Sequence, residues 1–417
     1  MSNRKLNVLI VGKVWPEPDS SAAGTRMMEL IEVMQKEGWE ITFASAASES
    51  NFSVDLKDYG VKSEKVKLNN SSFDYFISKK NPDMVLFDRF MTEEQFGWRV
   101  AENCPKTLRI LDTEDLHCLR EARRQAWTEG RDFKEPEVQN DLAKREIASI
   151  LRCDLSLIIS AYEMDLLKRV FKIDESLLLH LPFMHKELKE EDINGWKPYS
   201  KRNHFISIGN FLHEPNWNAV LYLKEEIWPL IRKKLTNAEL HIYGAYSSQK
   251  AGQIHNPKER FLVKGRADNA KIVVGNGRIL LAPLRFGAGL KGKLIEAMQC
   301  GTPSITTEIG AEAMHGDLPW PGFIENKPKA FAEKAVELYQ NEEIWTKAQK
   351  AGIPVINQLY RKEELGDRLI RRVGEIRDKL ETHRQQNFMG EILRHHTIAS
   401  TKYMSKWIEE KNRITDL

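Results

Sequence analysis

Ala282-Pro-Leu-Arg-Phe-Gly-Ala-Gly-Leu-Lys-Gly-Lys-Leu-Ile-Glu-Ala-Met-Gln-Cys-Gly-Thr-Pro303 reads as the end of a strand, a glycine-rich loop, a short helix and a stop. Ile279 to Ala282 is apolar and of strand length. Gly287, Gly289 and Gly292 allow a tight turn and a close approach to a ligand. Leu290, Leu294, Ala297 and Met298 follow at helical spacing, and Gly301 and Pro303 end the helix. Lys291 and Lys293 add two ammonium groups beside the N–H groups of a helix N-terminus, a combination that suits a phosphate or diphosphate. Glu296 lies one turn in, where its carboxylate can accept from a sugar diol.

The loop is not a Walker A sequence, because Leu294 stands where Ser or Thr is required after the lysine. It also does not open a first strand–helix unit with the Gly-x-Gly-x-x-Gly spacing of dinucleotide folds. The alternative reading of the loop is a glycine turn with solvated lysines.

The string resembles the donor-binding segment of the large retaining, family 4-like group of GT-B glycosyltransferases (glycosyl transferases group 1). The likeness continues through Ser304 to Met314. It has a second element in Ser207-Ile-Gly-Asn-Phe-Leu-His-Glu-Pro-Asn216, and covers most of Asn203 to Met314. Across the N-terminal half it is weaker. The resemblance implies two Rossmann-like, doubly wound α/β domains, with a C-terminal helix that crosses back to the N-terminal domain. Many members of that group carry two glutamates separated by seven residues. Counting back from Glu296, the first falls on Ala288, so Glu308 or Glu312 becomes the candidate stand-in.

Length and composition fit that architecture. A chain of 417 residues suits two domains of about 200 residues each. With 29% charged and 41% apolar residues the chain is globular. A net charge of +3 argues against a general nucleic-acid binder. Cys104, Cys118, Cys153 and Cys300 are scattered, without metal-ligand spacing, and read as reduced thiols of a cytoplasmic protein. The apolar run after Met1 is too short for a secretory signal, and no stretch has the length of a transmembrane helix. Any action at a membrane is then from its surface.

Strand-length apolar runs alternate with helical patterns along both halves, which predicts parallel sheets covered on both faces. Residues 184–201 break the pattern and read as a linker. The expected division is an acceptor-side domain at 1–183, a nucleotide-sugar-binding domain at 202–383, and a helical segment at 384–417 packing on the first domain.

In such sheets ligands bind beyond the carboxyl ends of the strands. Gly209, Gly244, Gly265 and Gly287 fall at or after strand ends, which suits a nucleotide and equally suits ordinary turns. Gly24 and Arg26 end a long loop that the resemblance places across the cleft from the donor. Asp112-Thr-Glu-Asp-Leu-His117 follows a strand; Asp115 is expected to cap the next helix and His117 to reach the cleft. His213 and Arg266 are candidates for the sugar, phosphate or base.

The reading that follows is a transferase of carbohydrate biosynthesis, moving a sugar from a nucleotide diphosphate sugar to a saccharide, lipid-linked saccharide or other acceptor. The expected catalytic set is His117, Lys293 and Glu312. The expected donor set is Gly24, Gly209, His213, Gly265, Arg266, Gly287, Gly289, Lys291, Lys293 and Glu296. Protein cations, rather than a metal or other cofactor, are expected to stabilise the leaving diphosphate. The alternatives are a sugar-nucleotide epimerase of the same fold, or a non-catalytic nucleotide-sugar-binding protein.

Overall fold

A computed structural model describes residues 5–246 and 249–415, with the side chains of 249, 250, 398, 399 and 415 left out. Residues 1–4, the expected lead-in to the first strand, lie outside the described residues. The first sheet contains β1 (Asn7–Gly12), β2 (Glu40–Ser45), β3 (Lys62–Lys65), β4 (Met84–Asp88), β5 (Leu108–Asp112), β6 (Leu155–Ile158) and β7 (Leu178–His180). Its order is β3-β2-β1-β4-β5-β6-β7 and every pairing is parallel.

The second sheet contains β8 (Phe205–Ile208), β9 (Leu240–Tyr243), β10 (Phe261–Gly265), β11 (Ile279–Ala282), β12 (Ser304–Thr306) and β13 (Gly322–Ile324). Its order is β10-β9-β8-β11-β12-β13, again all parallel. Strands buried on both faces explain the unbroken apolar runs, such as Val8 to Val11 and Ile279 to Ala282. Each sheet changes direction once, between β1 and β4 and between β8 and β11. The crevices at the carboxyl ends of those strands are where such a sheet binds ligands.

Nine helices are needed to follow the site. They are α1 (Ala22–Lys36), α2 (His117–Thr128), α3 (Asp141–Arg152), α4 (Ala161–Arg169), α5 (Glu214–Tyr222), α6 (Gly292–Gln299), α7 (Glu342–Leu359), α8 (Lys362–Asp378) and α9 (Phe388–Thr415). Helix α1 is anchored by an ion pair that both partners bury completely. Arg26 donates to both oxygens of Asp112 at the end of β5, and to the carbonyls of Leu181 and Pro182. This corrects the placement of Arg26 across the cleft from the donor: its charge is used inside the N-terminal domain. A carboxylate at a sheet's carboxyl edge is the nearest partner for a guanidinium that the helix carries inward.

The chain passes between the sheets twice, and the two passes are hydrogen-bonded to each other. His185 N–H donates to Tyr360 O at 2.7 Å, and Lys362 N–H to His185 O at 2.9 Å. Most of the expected linker packs on the second domain: Leu188 exchanges bonds with Asn357, and Trp196 donates to Gln299 O. The return crossing is at 360–362, earlier than the expected boundary at 383. Leu365, Leu369, Val373 and Ile376 of α8 already fill the N-terminal core. Their spacing makes one helix face, so that burial ties α8 to the first sheet.

Beyond α8, Arg384 grips Asp154, which is 1% exposed, through bonds of 2.7 and 2.8 Å, and donates to Thr107 O at 2.8 Å. Helix α9 then lies against α3. Removing a partner from a buried ion pair strands the other charge. Arg384→Ala is therefore expected to cost about 3 kcal/mol, read as a lower urea midpoint at unchanged slope. An unaltered midpoint would show that the C-terminal segment is not held through this pair.

Candidate active site at the domain interface

The loop between β11 and α6 and the loop between β8 and α5 meet at the switch point of the second sheet. There the Lys293 ammonium donates to Asn216 Oδ1 at 2.7 Å, and Asn216 is turned by its own bond to Asn210 O. A Cβ at Gly209 would lie 2.8 Å from both Lys293 Nζ and Asn216 Nδ2, so glycine is what lets the lysine reach this position. Among the described residues no carboxylate pairs with Lys293. Burial lowers its pKa to about 7, although part of the side chain meets solvent. A crowded ammonium with one neutral acceptor is a receptor for an anion.

Lys291 is 8% exposed, and burial lowers its pKa to about 8. Its Nζ donates to Gly289 O at 2.7 Å. Glu296, half-buried, has its pKa raised to about 7 by burial, opposed by Lys271 and reinforced by Asp19 from the other domain. Lys291 is thus the residue before α6, Lys293 lies in its first turn, and the Glu296 carboxylate follows one turn in.

Opposite this crevice stands the β1–α1 loop. Tyr246 Oη donates to both oxygens of Glu17 at 2.7 and 2.9 Å, and Phe52 meets the Tyr246 ring edge-on. Arg266 lies 4.4 Å over the Phe52 ring and 3.3 Å from Ser20 Oγ. These contacts bridge the two domains at the β9–β10 side of the cleft.

At the carboxyl edge of the first sheet, Asp88, Glu114, Asp115 and His117 gather with Lys13, Arg89 and Arg120. Arg89 and Glu114 both hold positive φ, 69° and 64°. Such strain in non-glycine residues persists only where surroundings enforce it. Asp88 Oδ1 and Glu114 Oε1 are buried without a hydrogen-bond partner. Burial, then Asp112, raises the Glu114 pKa to about 8.

Residues 202–341 match the protein family described as Glycosyl transferases group 1. Sucrose-phosphate synthase from Thermosynechococcus elongatus is similar in structure, with a TM-score of 0.65 and 14% identity, over 90% of this chain and 99% of that one. Anabaena HepE in complex with UDP and glucose gives 0.65 and 9% identity, over 88% and 99%. An S. aureus TarM variant with fondaparinux, α-GlcNAc-glycerol and UDP gives 0.55 and 15% identity; it covers 72% of this chain, which spans 57% of that longer one. No curated protein matches the chain in sequence. The fold is GT-B.

The chain brings Gly209, Asn216 and Lys293 together, sets His213 and Lys291 near them, and carries Gly287, Gly289 and Glu296 on the same loop and helix; several other expected residues lie elsewhere. Gly24 packs on the Glu17 backbone, where a Cβ would fall 2.4 Å from a carbonyl carbon; it serves the start of α1. Gly265, at φ 76°, ends β10, and Arg266 is turned onto Phe52. His213 is exposed at the mouth of the cleft. Close protein walls, then Arg120, Lys293 and Lys291, lower its pKa against the pull of Asp115. Asp115 does not cap α2. It pairs with Arg120 and His117, while Glu163 and Glu146 accept from the amides of Leu116, His117 and Cys118. Glu312 is held by both oxygens on Arg123, at 2.6 and 2.9 Å, and Glu308 is exposed. Neither occupies the crevice beside Ala288 as a free carboxylate.

His117 is 8% exposed, edge-on to Phe90, with Nε2 3.4 Å from Asp115 Oδ1. Burial lowers its pKa to about 3, with Asp115 opposing and Arg120 reinforcing. The native ring refuses a proton that the unfolded ring takes near 6.5, so this group removes stability as pH falls below that value. Its side-chain NMR signal is expected not to titrate between pH 5 and 8, and His117→Gln is expected to flatten part of the acid loss of stability. A titration centred near 6.5 would contradict the buried, neutral ring.

Proposed function

We propose that the protein is a retaining glycosyltransferase that takes a sugar from a nucleotide diphosphate sugar, with the diphosphate on Lys293 and the α6 N-terminus. The observation that carries this reading is the Lys293 ammonium, crowded by protein and offered, among the described residues, the neutral Asn216 Oδ1. The leaving diphosphate gains charge as its bond to the sugar breaks, and preorganised cations and N–H donors stabilise that charge. Lys291 and Lys293 supply the cations. Glu296 accepts from the ribose hydroxyls, a binding role rather than a proton-transfer role. The acceptor hydroxyl approaches from the N-terminal side, displaces the diphosphate at the same face of the sugar, and passes its proton to the departing diphosphate oxygen as the new bond forms. The match of residues 202–341 to Glycosyl transferases group 1 and the UDP carried by HepE and TarM support a nucleotide sugar donor. The buried, unpaired cysteines suit a cytoplasmic location.

Closure of the domains hinges in this reading on the paired crossings at His185 and Tyr360–Lys362. Among the described residues no helix is long and apolar enough to cross a membrane. A contact with a membrane surface belongs to this proposal only where the acceptor is lipid-linked.

A thermal-shift screen of UDP, GDP, ADP and TDP is expected to show one base preferred, since a ligand that binds only the native state raises the midpoint. Lys293→Ala is expected to lower turnover per donor by on the order of 2–4 kcal/mol. Lys293 must be charged to hold a diphosphate, so binding above pH 7 takes up a proton. Calorimetry in two buffers of different ionisation enthalpy reads that uptake, and Lys293→Arg, already charged, is expected to reduce it. Unchanged efficiency in Lys293→Ala, or equal uptake in Lys293→Arg, would remove this lysine from the site.

A further inference from the structure

The backbone of the donor loop is held from the opposite domain. Gly287 O accepts from Arg123 Nη1 of α2 at 2.9 Å, and Gly289 N–H donates to Glu163 Oε1 of α4 at 2.9 Å. Between them Ala288 packs on the N-terminal core, and Phe286 stacks on Trp127 at 5.2 Å. The fit is close: a Cβ on Gly289 would lie 2.8 Å from Asp115 Cβ, and one on Gly292 2.7 Å from Ala22 Cβ.

Both gripping side chains are themselves fixed. Glu163 is fully buried, and its Oε1 also accepts from Leu116 N–H at 2.9 Å. Its Oε2 is buried with no hydrogen-bond partner. Arg123 is 5% exposed, forks onto Glu312, and lies 5.0 Å from the Tyr162 ring and 5.4 Å from that of Phe133. Gly287 and Gly289 hold φ of 155° and 62°, so this loop has little preference of its own. Its shape propagates to the cation, because Lys291 Nζ is aimed by Gly289 O.

We propose that Arg123 and Glu163 are positioning residues through which the N-terminal domain sets the donor loop, so that domain closure assembles the diphosphate site instead of merely covering it. The proposal rests on the reading of that crevice as the donor site. When the domains part, Gly289 N–H loses its acceptor and Gly287 O its donor, and the intervening peptides are free to turn. Binding and catalysis then depend on closure through backbone geometry.

The test uses the full chain and two readouts. In hydrogen–deuterium exchange without nucleotide, Glu163→Ala is expected to speed exchange over residues 286–292, while Glu163→Gln, which keeps an acceptor oxygen for Gly289, is expected to stay close to wild type. Calorimetry with the nucleoside diphosphate that the wild type binds best is expected to show about a tenfold loss for Glu163→Ala and a loss within about threefold for Glu163→Gln. Arg123→Lys, which keeps charge but loses the fork, is expected to behave as Glu163→Ala, and carries the test if that variant does not fold.

Unchanged loop exchange in Glu163→Ala and Arg123→Lys would overturn the grip. Faster exchange with undiminished affinity would overturn its link to the site. Equal losses in the Gln and Ala variants would show that charge, not the accepted hydrogen bond, is what matters, and would also overturn it. If the wild type bound none of the diphosphates, the functional reading would fall, and loop exchange would still decide the grip.

Discussion

The backbone of a glycine-rich loop has to be satisfied by something, and here that constraint links the two halves of the molecule. Between the end of β11 and the start of α6 the chain leaves its sheet without entering a helix. Its peptide groups find partners in Arg123 and Glu163, two buried side chains of the other domain. Fully buried donors and acceptors are expensive to leave unpaired. The loop, the interface and the relative placement of the sheets are therefore one arrangement rather than three.

Electrostatics divides the cleft in two. On the C-terminal side the lysines are crowded, their pKa values fall, and Lys293 faces a neutral amide. On the N-terminal side carboxylates dominate, and Glu114, Glu146 and Glu163 all have raised pKa values because burial penalises their charge. Lys293, which has no carboxylate among the perturbing groups around it, is the cation that can take a diphosphate. The charges that do pair, Arg26 with Asp112 and Arg123 with Glu312, are structural and hold helices to strand ends and loops.

Much of this was legible in the chain. The alternation of apolar runs and helical patterns predicted two parallel sheets, and the loop from Phe286 to Lys293 with Gly209 and His213 converges because all follow strands next to the switch point. What was not legible depended on long separations. Arg123 and Glu163 sit on helix faces whose patterns look like ordinary surface charge, and only the fold brings them to the glycines. Asp115 had the position of a helix cap, but Glu146 and Glu163 reach the same amides from other helices. Glu312 lies within the donor-segment likeness, yet a guanidinium from the other domain binds it. Leu365, Leu369, Val373 and Ile376 do show helical spacing; the surrounding charge made that helix read as part of the second domain, while its apolar face belongs to the first.

The central claim is that the crevice around Lys293, at the meeting of the two domains, holds the donor diphosphate. A crystal structure with the preferred nucleoside diphosphate tests it most directly. The account predicts a phosphate oxygen about 3 Å from Lys293 Nζ and from amides at the start of α6, with Arg123 and Glu163 still on the donor loop. A diphosphate bound elsewhere, with Lys293 still on Asn216, would contradict it.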